Sequence, residues 1–125
     1  MTIEQAISNA DKLNPNTYPM SMKIKWLSNL DGQVFKEVFQ THEGCNVESF
    51  AGYDDKTPMG TELLIPSPYD EEIYSYFLRK NIERENGETA RYNKTVTLYN
   101  NAFLAFQNYY NRTHMPISKG KRFVF

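Results

Sequence analysis

The residues of this chain best equipped for chemistry fall within five positions, Thr41-His42-Glu43-Gly44-Cys45. An imidazole, a carboxylate and a thiol in one short run could ligate a metal or pair as nucleophile and base. A zinc site wants about four ligands, usually supplied in pairs. The only other His is His114, and there is no second Cys. The set therefore falls short, and no metal is expected. Cys45 reads as an ordinary loop residue. His42 reads as a residue at a helix C-terminus, where a cation is favourable. Asp54-Asp55 and Glu71-Glu72 are paired carboxylates, but sequence neighbours point in different directions. Turn and helix N-terminus placement accounts for them without acid–base chemistry. Neither a Gly-rich phosphate loop nor a G-x-S-x-G elbow is present. The expectation is no catalytic residue, no cofactor and no enzyme.

Recognition is the next class of chemistry. A DNA-reading helix needs clustered Arg, Lys, Asn or Gln. Lys23, Lys25 and Lys36 in one candidate helix, and Arg91, Asn93 and Lys94 in another, form no basic stripe. The C-terminal Lys119-Gly120-Lys121-Arg122-Phe123-Val124-Phe125 is a better candidate. Basic residues followed by terminal aromatics can dock on a partner by adding a strand or filling an apolar groove. The plain alternative is a mobile chain end. Charge is also uneven. Asp54, Asp55, Glu62, Asp70, Glu71 and Glu72 face only Lys56 over that stretch, whereas the last seven residues carry three bases and no acidic side chain. Such a chain could pair head-to-tail with copies of itself, or simply present two solvated faces.

Four helices are expected to position these groups. Thr2 and Gln5 form a capping-box pair ahead of Ile3, Ile7, Ala10 and Leu13, which predicts a helix over 3–13. Asn14-Pro15 stops it. Pro19 suits the first position of a second helix. Met20, Ile24, Leu27, Asp31, Val34 and Val38 make one stripe, apolar except at Asp31, over 19–42. A bend is expected near Asp31-Gly32, where another backbone could approach Gly32. Residues 43–68 lack helical period. Phe50, Tyr53, Met59 and the run Leu63-Leu64-Ile65, a candidate short strand, are expected to hold this long loop down or against a neighbour. Ser67 as N-cap, Pro68, and the acids Asp70, Glu71 and Glu72 open a third helix, which Asn86-Gly87 ends. The fourth has the strongest pattern: Tyr92, Val96, Tyr99, Phe103, Phe106 and Tyr110 alternate steps of four and three as a core seam. Met115-Pro116 closes it. The expected architecture is all-α: a small bundle of about four helices with one long ordered loop, a domain over 1–116, and a C-terminal docking arm over 117–125.

Bulk properties agree. The chain has 125 residues, one domain's length, with 40% hydrophobic and 23% charged residues, so a core is affordable without cross-links. Nine Tyr, eight Phe and one Trp suit a core and also subunit contacts. A single Cys excludes an intrachain disulfide framework and fits reducing, intracellular conditions. Glu4 and Asn9 interrupt the first stretch, so no secretory leader is expected. Asn93-Lys94-Thr95 and Asn111-Arg112-Thr113 then match the glycosylation pattern by chance. No window approaches about 18 apolar residues, so no membrane partner is expected. The net charge of −1 does not advertise nucleic acid.

With these segments read, the chain resembles the head–tail connector (adaptor) proteins of tailed bacteriophages and prophages. The likeness rests on Lys25-Trp26-Leu27-Ser28-Asn29-Leu30-Asp31-Gly32, on Leu64-Ile65-Pro66-Ser67-Pro68-Tyr69-Asp70, on Asn86-Gly87-Glu88 followed by Arg91-Tyr92-Asn93, and on Asn111-Arg112-Thr113-His114. It implies a virion neck protein, assembled in the host cytoplasm, that forms a homo-oligomeric ring beneath the portal, commonly a dodecamer. Its partners would be other copies of itself, the portal protein and a downstream neck or tail protein. Phage DNA would pass through the channel without specific binding. Lys121, Arg122, Phe123, Val124 and Phe125 would be the portal or subunit arm, with Phe50 and Tyr53 in the other contact element. A small phage-encoded DNA-binding or regulatory protein is the competing reading.

Overall fold

The computed structural model describes residues 1–44 and 47–117, and among these it is all-α. Helix α1 spans Ile3–Leu13, α2 spans Met20–Val34, α3 spans Asp70–Asn86 and α4 spans Thr89–Thr113. None is long and apolar enough to cross a membrane.

Helix α1 starts where its capping box requires. Thr2 Oγ1 accepts from Gln5 N, and Gln5 Oε1 accepts from Thr2 N. The next free amides, of Ile3 and Glu4, donate to Thr61 O and Met59 O of the long loop. The helix end that would otherwise leave donors unpaired thus binds the loop. Ile3, Ala6, Ile7 and Ala10 are buried on one face.

Helix α2 buries Ile24, Trp26, Leu27, Leu30 and Val34. Its α-helical part ends at Val34, short of the expected 42, and a π-helical turn over Phe35–Phe39 follows. The irregularity lies after Asp31-Gly32 rather than at it. The turn widens to a bond from Gln40 N to Phe35 O and buries Phe35, Val38 and Phe39. Thr41 Oγ1 then serves the open carbonyls of Glu37 and Val38. Gly32 faces the Phe50 ring rather than a backbone.

Between α2 and α3 the loop lies against the bundle. Leu63 and Ile65 are buried, but Leu63–Ile65 is not a strand; the only pairing nearby is an isolated bridge of Thr2 with Glu62. Helix α3 begins at Asp70, later than a Ser67 cap implies, because a turn in which Tyr69 N donates to Pro66 O precedes it. Gly87 ends it in the left-handed conformation (φ 76°), as a glycine past a helix end does.

Helix α3 is the middle of the molecule. Tyr69 at its N-terminal cap and Phe77 and Lys80 within it meet the rings of Tyr99, Phe106 and Tyr109 of α4. Ser75, Tyr76 and Arg79 border α1. Positions 75 and 77 are about 200° apart on a helix, so α1 and α4 occupy opposite flanks of α3. The inner face, with Ile73, Tyr74, Leu78 and Ile82, packs toward α2.

Candidate assembly surface

Helix α4 carries the least balanced surface of the chain. It is 25 residues long and packs mainly along α3. Only Thr95, Phe106 and Tyr110 are buried. Of the six seam residues, Phe106 and Tyr110 reach the core, whereas Tyr92, Val96, Tyr99 and Phe103 are half-buried along the α3–α4 seam. Burial there pushes the Tyr99 phenol up to about 12. The Lys80 ammonium lies 4.8 Å from the Phe77 ring centre and 5.3 Å from that of Tyr99; burial, and then the charge of Arg84, lowers its pKa.

The opposite face of α4 is open. Thr97, Leu98, Asn101, Leu104, Ala105 and Asn108 follow one another at steps of one and three and are exposed. Leu98 is 37% and Leu104 54% accessible. From Thr95 to Asn111 the helix holds no charged residue, and the cations Lys94 and Arg112 close the stripe at either end. Surface helices normally oppose their buried face with charge. Here the face opposite the seam is neutral, with Leu98 and Leu104 protruding among Thr, Asn and Ala side chains.

Asp31 of α2 and the aromatic groups singled out in the long loop serve the fold. Asp31, fully buried, accepts 2.5 Å hydrogen bonds from the Tyr53 and Tyr74 hydroxyls and a 3.0 Å bond from Leu64 N. The Tyr74 oxygen in turn accepts from Ile65 N. Burial raises the pKa of Asp31, against the opposing pull of its three donors, and raises those of Tyr53 and Tyr74. Phe50 packs on Phe35 and Tyr53. Phe50 and Tyr53, both half-buried, thus pack within their own bundle.

His42 and His114 do come together, about Tyr110. The His114 ring stacks on Tyr110 at 3.9 Å and His42 meets it edge-on at 5.0 Å. Both His42 nitrogens are engaged, with Val38 O and Asn111 Oδ1. Here the chain ends of α2 and α4 pair: Glu43 N donates to Met115 O, and Ile117 N to Thr41 O. Among the described residues no three His, Cys, Asp or Glu converge as metal ligands. Cys45 lies outside the described residues, as do Lys121, Arg122, Phe123, Val124 and Phe125.

Of the candidate DNA-reading lysines, Lys23 is buried in an ion pair with Asp11 at 3.0 Å. Sequence reasoning missed the open face of α4, because attention to its aromatic seam hid what stands behind it. The signal was the uncharged run itself. Comparison of the chain with protein-family models, with curated proteins and with solved structures gives no match.

Proposed function

We propose that this chain is a structural subunit of the virion neck, a head–tail connector of a tailed phage or prophage. Copies would form a ring beneath the portal, continue the DNA channel and join capsid to tail. The observation that carries this reading is the neutral, leucine-bearing outer face of α4, which suits a chain that works by packing against other chains. The motif resemblance supplies the setting. The charge pattern is compatible with DNA sliding past: net charge is −1, Lys23 is paired internally, and the exposed candidate bases Lys25, Lys36, Arg91, Lys94 and Arg112 are spread over α2, the π-helical turn and α4. Tight phosphate binding would need several cations acting together.

The test is to mix the purified chain with the portal protein of the same phage and measure mass and shape by native mass spectrometry and electron microscopy. Rings seated on the portal are expected. A chain that stays unassociated with the portal but retards duplex DNA in a salt-dependent way would replace this reading with the DNA-binding one.

A further inference from the structure

The α1 side of α3 carries a surface unlike α4. A groove of about 520 Å³ runs there between α1 and α3, with Leu13, Tyr76, Lys12, Arg79, Glu71 and Glu72 along its walls. Leu13 is 60% accessible at its rim. Arg79 is engaged within the chain, donating to Asn14 Oδ1 and lying over the Tyr76 ring. Glu71 and Glu72 are exposed and have no ion-pair partner among the described residues. Both carboxylates stand in the first turn of α3, so they favour that helix without being neutralised.

From this arrangement we infer that the outer face of α4 of one copy seats in the α1–α3 groove of the next. Leu98 and Leu104 would cover Leu13 and Tyr76, and a cation at one end of the stripe, Lys94 or Arg112, would meet Glu71 and Glu72. The inference rests on the connector reading and names the contact that closes its ring.

Three observations select this occupant. The first is charge. Helix α4 holds Arg91, Lys94 and Arg112 and no acid, while one end of the groove holds the unpaired carboxylates Glu71 and Glu72. The groove's own cations are Lys12 and Arg79, the latter two turns further along α3 at Asn14, so only the acidic end can take a cation of α4 and the uncharged run over 95–111 must face the rest. Opposite charges across an interface set partner and register. The second is the failure of the symmetric alternative. If α4 packed on α4 of another copy, antiparallel helices would oppose Lys94 to Arg112, and parallel ones would oppose Lys94 to Lys94. Like charges would meet either way. The third is position. The two surfaces lie on opposite flanks of α3, so each copy can offer one and accept the other. Such a contact is heterologous and propagates until a rotation closes it. Helix α4 is about 37 Å long, enough to span a neighbour of this size.

Site-directed cross-linking tests the contact. In a Cys45→Ser background, Leu13→Cys and Leu104→Cys are made in separate chains, with circular dichroism confirming that each is helical. Under oxidation at millimolar concentration, the mixture should cross-link and neither chain alone should. A chain carrying both substitutions should give a ladder of oligomers. Its two cysteines sit on opposite flanks of α3 and do not meet within one copy. Glu71→Lys with Glu72→Lys in the Leu13→Cys chain should abolish the cross-link, and reversing Lys94 or Arg112 to Glu in the other chain should restore it. Dimers from Leu104→Cys alone, or a mixture without cross-links, overturns the proposal. The connector reading is scored apart from this. Rings on the portal without the Leu13–Leu104 cross-link would sink the contact only. The cross-link in a chain that ignores the portal would sink the connector reading only.

Discussion

Asp31 stands in the apolar stripe of α2 where a leucine or valine would continue the pattern. Its two oxygens receive Tyr53, Tyr74 and Leu64 N, which tie together α2, the loop and α3. Replacing it by Ala would leave two phenols and an amide without their acceptor. The expected loss is about 3–5 kcal/mol, the range for breaking a buried charged network. Asp31→Asn keeps an acceptor oxygen and should cost less. The pH dependence has an unusual sign. Burial raises the folded pKa of Asp31, while its three donors pull the other way. The unfolded chain titrates near about 3.9. The folded state therefore holds this proton more tightly than the unfolded one. The stability tied to that proton is full below the unfolded value and is lost as pH rises through the folded value. Urea titrations of wild type and Asp31→Asn should show the wild type losing ground to the variant as pH rises above the unfolded value; a gap that stays constant refutes the assignment. The stripe itself was legible from 3.6-residue periodicity. The partners of Asp31 were not, since they lie 22 and 43 positions away and no periodicity encodes a side-chain bond across a loop.

At the scale of elements, helix starts and stops were read well where local chemistry dictates them. The Thr2–Gln5 capping box and the Gly87 stop are bonds within a few residues of the signal. The end of α2 was read too long, because Phe35, Val38 and Phe39 keep an apolar pattern through a turn whose bonding has changed. The long loop was expected to be folded down, and its anchors are now specific. Among them Gly52 has φ 91°, and a Cβ there would stand 2.9 Å from Ser28 Oγ, the same hydroxyl that accepts from Tyr53 N. Gly52→Ala combines a left-handed backbone with that clash, so a loss of about 1–3 kcal/mol is expected. Gly60 offers the control. A Cβ at Gly60 meets nothing within 4 Å and its φ is not positive, so Gly60→Ala should stay within about 0.5 kcal/mol of wild type. Chemical denaturation of both variants checks this, and equal effects would mean that the loop is not held at Gly52.

For the whole molecule, four helices and one core were legible, but the order of the layers was not. Which helix lies in the middle depends on pairings between segments far apart in sequence, and only the structure places α3 between α1 and α4. On the connector reading, function at this scale divides between the bundle and a proposed docking arm over 117–125, of which residues 118–125 lie outside the described chain. The described part sets where the arm can be cut. Among the described residues the buried core extends no further than Tyr110, yet Met115 O and Ile117 N still bond to Glu43 and Thr41, and His114 stacks on Tyr110. Deleting 119–125 spares all of these; deleting 115–125 removes both backbone bonds that fasten the end of α4 to the end of α2. Thermal unfolding should therefore be unchanged in the shorter deletion and lowered in the longer one, by roughly the 1–3 kcal/mol that two hydrogen bonds and their packing contribute. Joining to the portal should be weakened by both, because both remove Lys121, Arg122, Phe123, Val124 and Phe125. The shorter deletion is decisive. A stable bundle that no longer joins the portal separates docking from folding, whereas full joining by that truncated chain would take the arm out of the interface and leave α4 and the α1–α3 groove to hold the ring.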